Sequence, residues 1–231
     1  MPTPARCFAL VPCAGVGERA GGAGPKQYRA LAGRPLVCHT LQALRECRRL
    51  VATLVVVGPH DEAFARLVSP AEHDRDWLAA AGGDTRAQTV INGLAQLRAR
   101  GVADHDWVLV HDAARCLLRA SWVDRLIDAC AGDEVGGLLA LPVSDTLKRE
   151  HATRVQQTVS RQGLWGAQTP QMFRLGLLER ALRAAGAQVT DEASAVEALG
   201  LQPLLVPGEW ENLKVTWPAD FGLAERLLAT R

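Results

Sequence analysis

Residues 6–28 read RCFALVPCAGVGERAGGAGPKQY, and what this stretch can and cannot be decides the fold. Arg6 ahead of the apolar run 7–11 invites comparison with a secretory leader. Pro12, Gly15 and Gly17 break the run well short of the roughly 7–15 apolar residues a leader needs, so it reads as a buried strand over 8–11. Gly15, Gly17 and Ala20 then satisfy the GxGxxA dinucleotide pattern. That pattern works by starting a helix directly beneath a pyrophosphate, whereas Gly21, Gly22, Gly24 and Pro25 oppose any helix here. The phosphate-loop pattern fails as well, because Pro25 rather than glycine precedes Lys26 and Gln27 stands where Ser or Thr would meet magnesium. What remains is a long loop whose backbone N–H groups can wrap a triphosphate, with Arg19 and Lys26 as its cations. An ordinary glycine-rich surface loop is the plainer alternative. Residues 21–25, glycine and proline without a covering apolar side chain, predict mobility in the absence of nucleotide.

Outward from this loop, short apolar runs alternate with segments of helical period, which predicts an α/β chain with a Rossmann-like, mainly parallel sheet and helices on both faces. Strands are expected over 8–11, 51–57, 107–110, 138–141 and 204–206. Helices are expected over 35–47, 61–68, 86–100, 121–130 with Ser121 as N-cap, 175–185, 192–199 and 218–230. The 231 residues predict one domain, 1–231, with an inserted arm at about 144–162. The arm, SDTLKREHATRVQQTVSRQ, is polar, with β-branched residues around a turn at 150–153. A solvated hairpin and an arm that embraces a second subunit are equally compatible with it, since an isolated hairpin is marginal unless covered.

Composition narrows the function classes. Basic and acidic residues number 26 and 25, for a net charge of +1, which gives no reason to expect binding to nucleic acid or a membrane surface. No run of about 18 apolar residues is present to span a bilayer. The six cysteines lack CxxC spacing and predict reduced, buried thiols in a cytoplasmic protein rather than metal ligands. Only three of the basic residues are lysines, Lys26, Lys148 and Lys214. Arginine elsewhere reads as a coding bias, so each lysine's position carries information.

Seven motifs then follow in order: PxAGxGxR running to PKQY (12–28), GGxxRxxTVxNGL (82–94), HDAAR (111–115), SDT (144–146), SRxGLWxAQTPQMF (160–173), TDEA (190–193) and ENLKVT (211–216). Together they resemble the 2-C-methyl-D-erythritol 4-phosphate cytidylyltransferases, nucleotidyltransferases of the nucleotide-diphospho-sugar transferase fold, over nearly the whole chain. The resemblance implies transfer of CMP from CTP to methylerythritol phosphate with release of pyrophosphate, and Mg²⁺ or another divalent cation as cofactor. It implies that Arg19 and Lys26 stabilise the transition state and that Arg161 and Lys214 position the substrate phosphate. CTP would lie against Pro12, Ala14, Gly15, Gly17, Gly83, Asp84, Thr89, Asp112 and Ala113, with Asp112 also at the metal. The segment 82–89, Arg86 included, looks like the one that reads cytosine. Arg115, Thr146 and Thr169 would hold methylerythritol phosphate. The arm would carry Thr146 and Arg161 into the other subunit's site, which makes the resemblance a prediction of a homodimer.

Such chemistry suits these residue types. A phosphate monoester is ionised at neutral pH and needs no strong base; the obstacle is negative charge gathering around phosphorus, which cations relieve. Lysine supplies a point charge and arginine a fork for two phosphate oxygens. Asp112 as a plain turn cap stays open. Three departures from the family pattern stand out: Cys116 after HDAAR in place of proline, Ala20 in place of methionine, and Glu211 in place of aspartate, whose contact is in question. A cytidylyltransferase for ribitol 5-phosphate or another polyol phosphate is the nearest alternative; a nucleotide-binding module without activity is a more distant one, which retention of Arg19, Lys26 and Lys214 opposes. A second catalytic domain is not expected, as the last predicted helix reaches 230.

Overall fold

The computed structural model describes residues 4–15, 24–68, 75–186 and 189–231. Its elements in chain order are β1 (Cys7–Pro12), a 3₁₀ turn (Lys26–Tyr28), β2 (Ala30–Leu31), β3 (Arg34–Pro35), α1 (Leu36–Glu46), β4 (Leu50–Val57), α2 (Ala63–Leu67), β5 (Asp76–Ala80), α3 (Arg86–Ala99) and β6 (Trp107–Val110). Then follow α4 (Ala120–Cys130), β7 (Gly136–Pro142), β8 (Leu147–His151), β9 (Arg154–Val159), β10 (Trp165–Arg174), α5 (Leu175–Ala185), α6 (Glu192–Glu197), β11 (Leu204–Pro207) and α7 (Pro218–Leu228).

Alternation along β1 sets the layers, because successive side chains of a strand point to opposite faces. Cys7, Ala9 and Val11 join one buried cluster with Val37, Leu41 and Leu44 of α1 and Trp122, Val123 and Leu126 of α4. Phe8 and Leu10 join another with Val90, Leu94 and Leu97 of α3 and Leu178 and Leu182 of α5. Each large side chain so buried contributes roughly 1.5–3 kcal/mol, and both faces of the strand must therefore be covered. The sheet has seven strands in the order β11-β7-β10-β6-β1-β4-β5. β1 runs parallel to β4 and β6, β4 to β5, and β11 to β7, while β10 is antiparallel to both its neighbours.

The five expected strands and seven expected helices are present within a few residues of their expected ends. Two strands of the central sheet, β5 and β10, and the short pair β2 and β3 were not expected from the sequence. Ser121 is not the N-cap of α4: the helix begins at Ala120 with Arg119 in the cap position, and Trp122 N–H already donates to the Arg119 carbonyl at 3.0 Å. The arm is a hairpin of β8 and β9 with its turn at Ala152 and Thr153, both at positive φ. All six cysteines are free and buried. Cys116 packs among Leu31, Leu36 and Val215, so that departure alters packing alone. Ala20 and the mobile loop expected at 21–25 lie wholly or mostly outside the described residues. Among the described residues no helix is long and apolar enough to cross a membrane.

Gly93 lets α3 sit close on the sheet: a Cβ there would lie 2.7 Å from Leu10 Cδ1 and 3.0 Å from Val56 Cγ2. Gly93→Val is expected to cost about 1–3 kcal/mol through overpacking, read as a lower urea midpoint with an unchanged denaturant slope. An unchanged midpoint would show that α3 is not pressed onto β1 and β4.

Candidate active site

Strand ends place the loops. At the C-terminal ends of β1, β5 and β6 the chain turns out through 13–15, 81–85 and 111–115, and these segments, with 26–27 and Lys214, wall a cavity of about 420 Å³. Ligands of open α/β sheets bind at this edge. Pro12, Ala14, Gly15, Lys26, Gly83, Asp84, Thr89, Asp112, Ala113 and Lys214, separated widely in sequence, all line it.

Close backbone approach makes the cavity possible. A Cβ on Gly82 would sit 2.3 Å from the Ala14 Cβ and 2.9 Å from the Val57 carbonyl oxygen, and Gly82 N–H donates to that carbonyl at 2.8 Å. Thr85 caps α3 by accepting from Gln88 N–H at 3.0 Å. Thr89 Oγ1 accepts from Gly83 N–H at 3.1 Å and donates to the Thr85 carbonyl at 3.0 Å, closing the 83–89 turn. Across the cavity, buried Gln27 donates to the carbonyls of Cys13 at 3.0 Å and Gly15 at 2.8 Å. Lys26 Nζ donates to the Val215 carbonyl at 2.8 Å, and Tyr28 OH to Asp61, whose other oxygen caps α2. The lysine is thus delivered by a segment fixed on both sides. Cys13 also lines the cavity, but burial pushes its thiol up to about 12, so it supplies no nucleophile.

Asp112 is the electrostatic centre. Its Oδ1 accepts from Arg86 Nε at 2.8 Å, its Oδ2 pairs with Lys214 Nζ at 2.8 Å, and Arg115 Nε lies 3.9 Å away. Burial pushes the carboxyl up, but Arg86 and Lys214 outweigh it and hold the group well below the usual carboxylate range. The remaining nitrogens of Arg86 form a fork on Glu192, at 2.7 and 3.0 Å. Arg86, expected within the cytosine-reading segment, lines the first cavity with its guanidinium nitrogens bonded to two carboxylates.

Asp112, Arg86 and Lys214 also border a second cavity, of about 210 Å³, lined further by Arg115, Gln168, Thr169 and Gln171. Arg115 is held by the carbonyls of Asn212 at 2.6 Å and Ala167 at 3.3 Å. Behind it, His111 Nε2 lies 3.2 Å from the Arg115 carbonyl, which can only accept, so Nε2 carries the proton. Nδ1 then accepts from the Thr169 hydroxyl at 3.0 Å, and that oxygen accepts from Asp112 N–H at 3.0 Å. Thr169 therefore both borders the cavity and pins the 111–115 turn.

Of the remaining expected residues, Thr146 lies just before β8 and Arg161 just after β9, both exposed and neither bordering the two cavities. Gly17 and Arg19 lie outside the described residues. Glu211 pairs with Arg119 at 2.7 Å, away from both cavities, which settles its contact. The sequence reading gave no role to Gln27, His111 or Glu192; their signal was position inside the PKQY, HDAAR and TDEA motifs. Among the described residues no three His, Cys, Asp or Glu gather to hold a metal. Asp112 still fits Mg²⁺ as a single oxygen donor, since its Oδ1 has one cation partner, Arg86, and a spare lone pair, and Mg²⁺ commonly takes one or two carboxylates with water and phosphate.

A family model described as 2-C-methyl-D-erythritol 4-phosphate cytidylyltransferase matches residues 7–230. The bifunctional enzyme IspD/IspF of Albidiferax ferrireducens is 59% identical over 229 residues, 99% of this chain, which spans 54% of that enzyme. The 2-C-methyl-D-erythritol 4-phosphate cytidylyltransferase of Laribacter hongkongensis is 57% identical over 225 residues, 96% of each chain. Among solved structures, a 4-diphosphocytidyl-2C-methyl-D-erythritol synthase is similar with a TM-score of 0.87 at 41% identity, covering 97% of this chain and 99% of that one. The Francisella tularensis cytidylyltransferase follows with 0.81 at 31% identity, covering 96% and 99%.

His111 carries a pH dependence. Burial, opposed by the Asp112 charge and the hydrogen bond to the Arg115 carbonyl and aided by the Arg115 charge, pushes it down from 6.5 to about 4. Between those values the unfolded chain binds the proton and the folded chain does not, so stability rises with pH across this window and falls on acidification, by up to about 3 kcal/mol. Chemical denaturation from pH 7 to 4 is expected to show this slope, and His111→Gln a flatter one. Equal slopes would mean that the imidazole charges freely in the fold.

Proposed function

We propose that this chain, which belongs to the 2-C-methyl-D-erythritol 4-phosphate cytidylyltransferase family, transfers CMP from CTP to 2-C-methyl-D-erythritol 4-phosphate and releases pyrophosphate. The observation that carries the reading is the meeting of two cavities at Arg86, Asp112 and Lys214, with Lys26 on one side and Arg115 on the other. Two anionic substrates must be brought together there, and the residues shared by both cavities are two cations about one carboxylate.

The chemistry follows from charge. The attacking phosphate is already an anion, so the site needs no base; what it must supply is positive charge where negative charge builds on the α-phosphorus and its leaving group. Lys26, held at Val215 beside Lys214, would lie against the triphosphate, and Arg19 is proposed as its companion on the same loop. Lys214 and Arg115 face the second cavity and would hold the incoming phosphate in line, which removes much of the entropic cost of a bimolecular step. A Mg²⁺ held by Asp112 and phosphate oxygens would neutralise part of the triphosphate charge. Pro12, Ala14, Gly15, Gly83, Asp84, Thr89 and Ala113 enclose the nucleotide, and Thr169 the polyol phosphate.

The arm completes the reading as a homodimer with shared sites. β8 and β9 form a separate two-stranded sheet with almost every side chain exposed, Val155 at 64%. A hairpin of that kind is marginal uncovered, which supports a second copy as its cover and a route for Thr146 and Arg161 into the partner's site. The absence of a basic excess and of an apolar span argues against nucleic-acid and membrane partners and favours a cytoplasmic enzyme.

Pyrophosphate release is expected with CTP, Mg²⁺ and methylerythritol phosphate and not when ATP or ribitol 5-phosphate is substituted; activity with ribitol 5-phosphate alone would overturn the substrate. Lys26→Ala is expected to lose about 10²–10³-fold in kcat while remaining folded. Mixing Lys26→Ala with Arg161→Ala is expected to restore activity in heterodimers, and no recovery would count against shared sites.

A further inference from the structure

Glu192 is the buried member of the charge network that touches neither cavity. It is 1% exposed, in the first turn of α6, and lines neither wall. Its place is set from β10: Gln171 accepts from Ala193 N–H at 2.8 Å and donates to Asp191 at 2.9 Å, and Asp191 caps the same helix. From there both carboxylate oxygens take the terminal nitrogens of Arg86, at 2.7 and 3.0 Å. A planar guanidinium fixed by its fork has one direction left for Nε, and that direction ends on Asp112 Oδ1 at 2.8 Å.

From this geometry we propose that Glu192 is a positioning residue for the transfer, acting on both substrates through Arg86. The proposal rests on the reading of the two cavities as the sites of CTP and the polyol phosphate. Asp112 is held between two cations brought by different elements, Arg86 from the start of α3 and Lys214 from the segment after β11. Glu192 keeps Arg86 in that place and keeps its charge from turning to the triphosphate. As a stability device alone the pair would be poorly justified, since buried ion pairs are often replaceable by apolar side chains without loss. Its third bond gives it another use, because that bond ends on a residue that both cavities share.

Four proteins test this: Glu192→Gln, Arg86→Gln, Arg86→Lys and the double variant Glu192→Gln/Arg86→Gln, each with kcat, both KM values and thermal midpoint measured. Glu192→Gln removes an anion and frees Arg86, so kcat is expected to fall about tenfold or more while KM for CTP does not rise; a general loosening of the fold would raise KM. Arg86→Lys keeps the charge without the fork and is expected to fall with Arg86→Gln. The double variant is expected to be no slower than the worse single one, because residues acting as one unit are non-additive. A kcat within twofold of the parent for Glu192→Gln, a rise in its KM for CTP, or losses that multiply in the double variant would overturn the proposal. Where Glu192→Gln does not accumulate folded, Arg86→Gln decides alone: a tenfold loss supports positioning and a kcat within twofold of the parent overturns it. Parent protein without turnover of CTP and methylerythritol phosphate would instead remove the functional reading on which the proposal stands.

Discussion

A carboxylate with only a tenth of its surface exposed stays ionised only among cations, and the meeting of Asp112 with Arg86 and Lys214 is the constraint on which the rest of the site depends. Each partner must arrive from its own element. Arg86 arrives because Gly93 lets α3 lie close on β1 and β4 and Thr85 caps its first turn. Lys214 arrives because Val215, buried with Leu31, Leu36 and Phe221, docks its segment against α7. Lys26 reaches the same segment through the Val215 carbonyl. Two of the three lysines therefore meet at consecutive residues, and a core cluster remote from the sheet fixes both.

The same arrangement explains why a near-neutral chain can serve two polyanionic substrates. Long-range attraction is weak at a net charge of +1, and screening removes most of it beyond about 8–10 Å. Local arrangement has to do what net charge does not. Three cations, Arg86, Arg115 and Lys214, surround two carboxylates, Asp112 and Glu192, so this partly desolvated ion-pair network holds one more positive than negative group. Interactions there are stronger than at the open surface, and a fixed excess needs little reorganisation as charge develops on the phosphates.

How much of this was legible in the sequence varies with burial. The strands buried on both faces, such as Cys7–Pro12 and Trp107–Val110, declare themselves as apolar runs. β10 does not, because Gly166, Gln168, Thr169, Pro170 and Gln171 interrupt it, and those polar residues are the ones that border the second cavity or hold α6. A strand bent to serve a site loses the pattern by which strands are read. β5 was hidden for a different reason: it is an edge strand, half-exposed and only five residues long. Most expected site residues do converge on the cavities, yet Gln27, His111 and Glu192 gained a role only in three dimensions. Each acts on backbone or on another side chain rather than facing a cavity with a charge, and residue type alone does not announce that.

His111 and Thr169 show what such residues contribute. Neutral imidazole, a hydroxyl and a backbone N–H form one directed chain from Asp112 through Thr169 and His111 to the Arg115 carbonyl. A charged histidine would have no acceptor to offer Thr169, and the hydroxyl would lose its donor role. The burial that lowers the imidazole's affinity for a proton thus preserves the geometry of the turn carrying both Asp112 and Arg115. Placement of Asp112 and Arg115 at the second cavity therefore depends on a group that must stay uncharged, and position 111 calls for a side chain that offers both a donor and an acceptor.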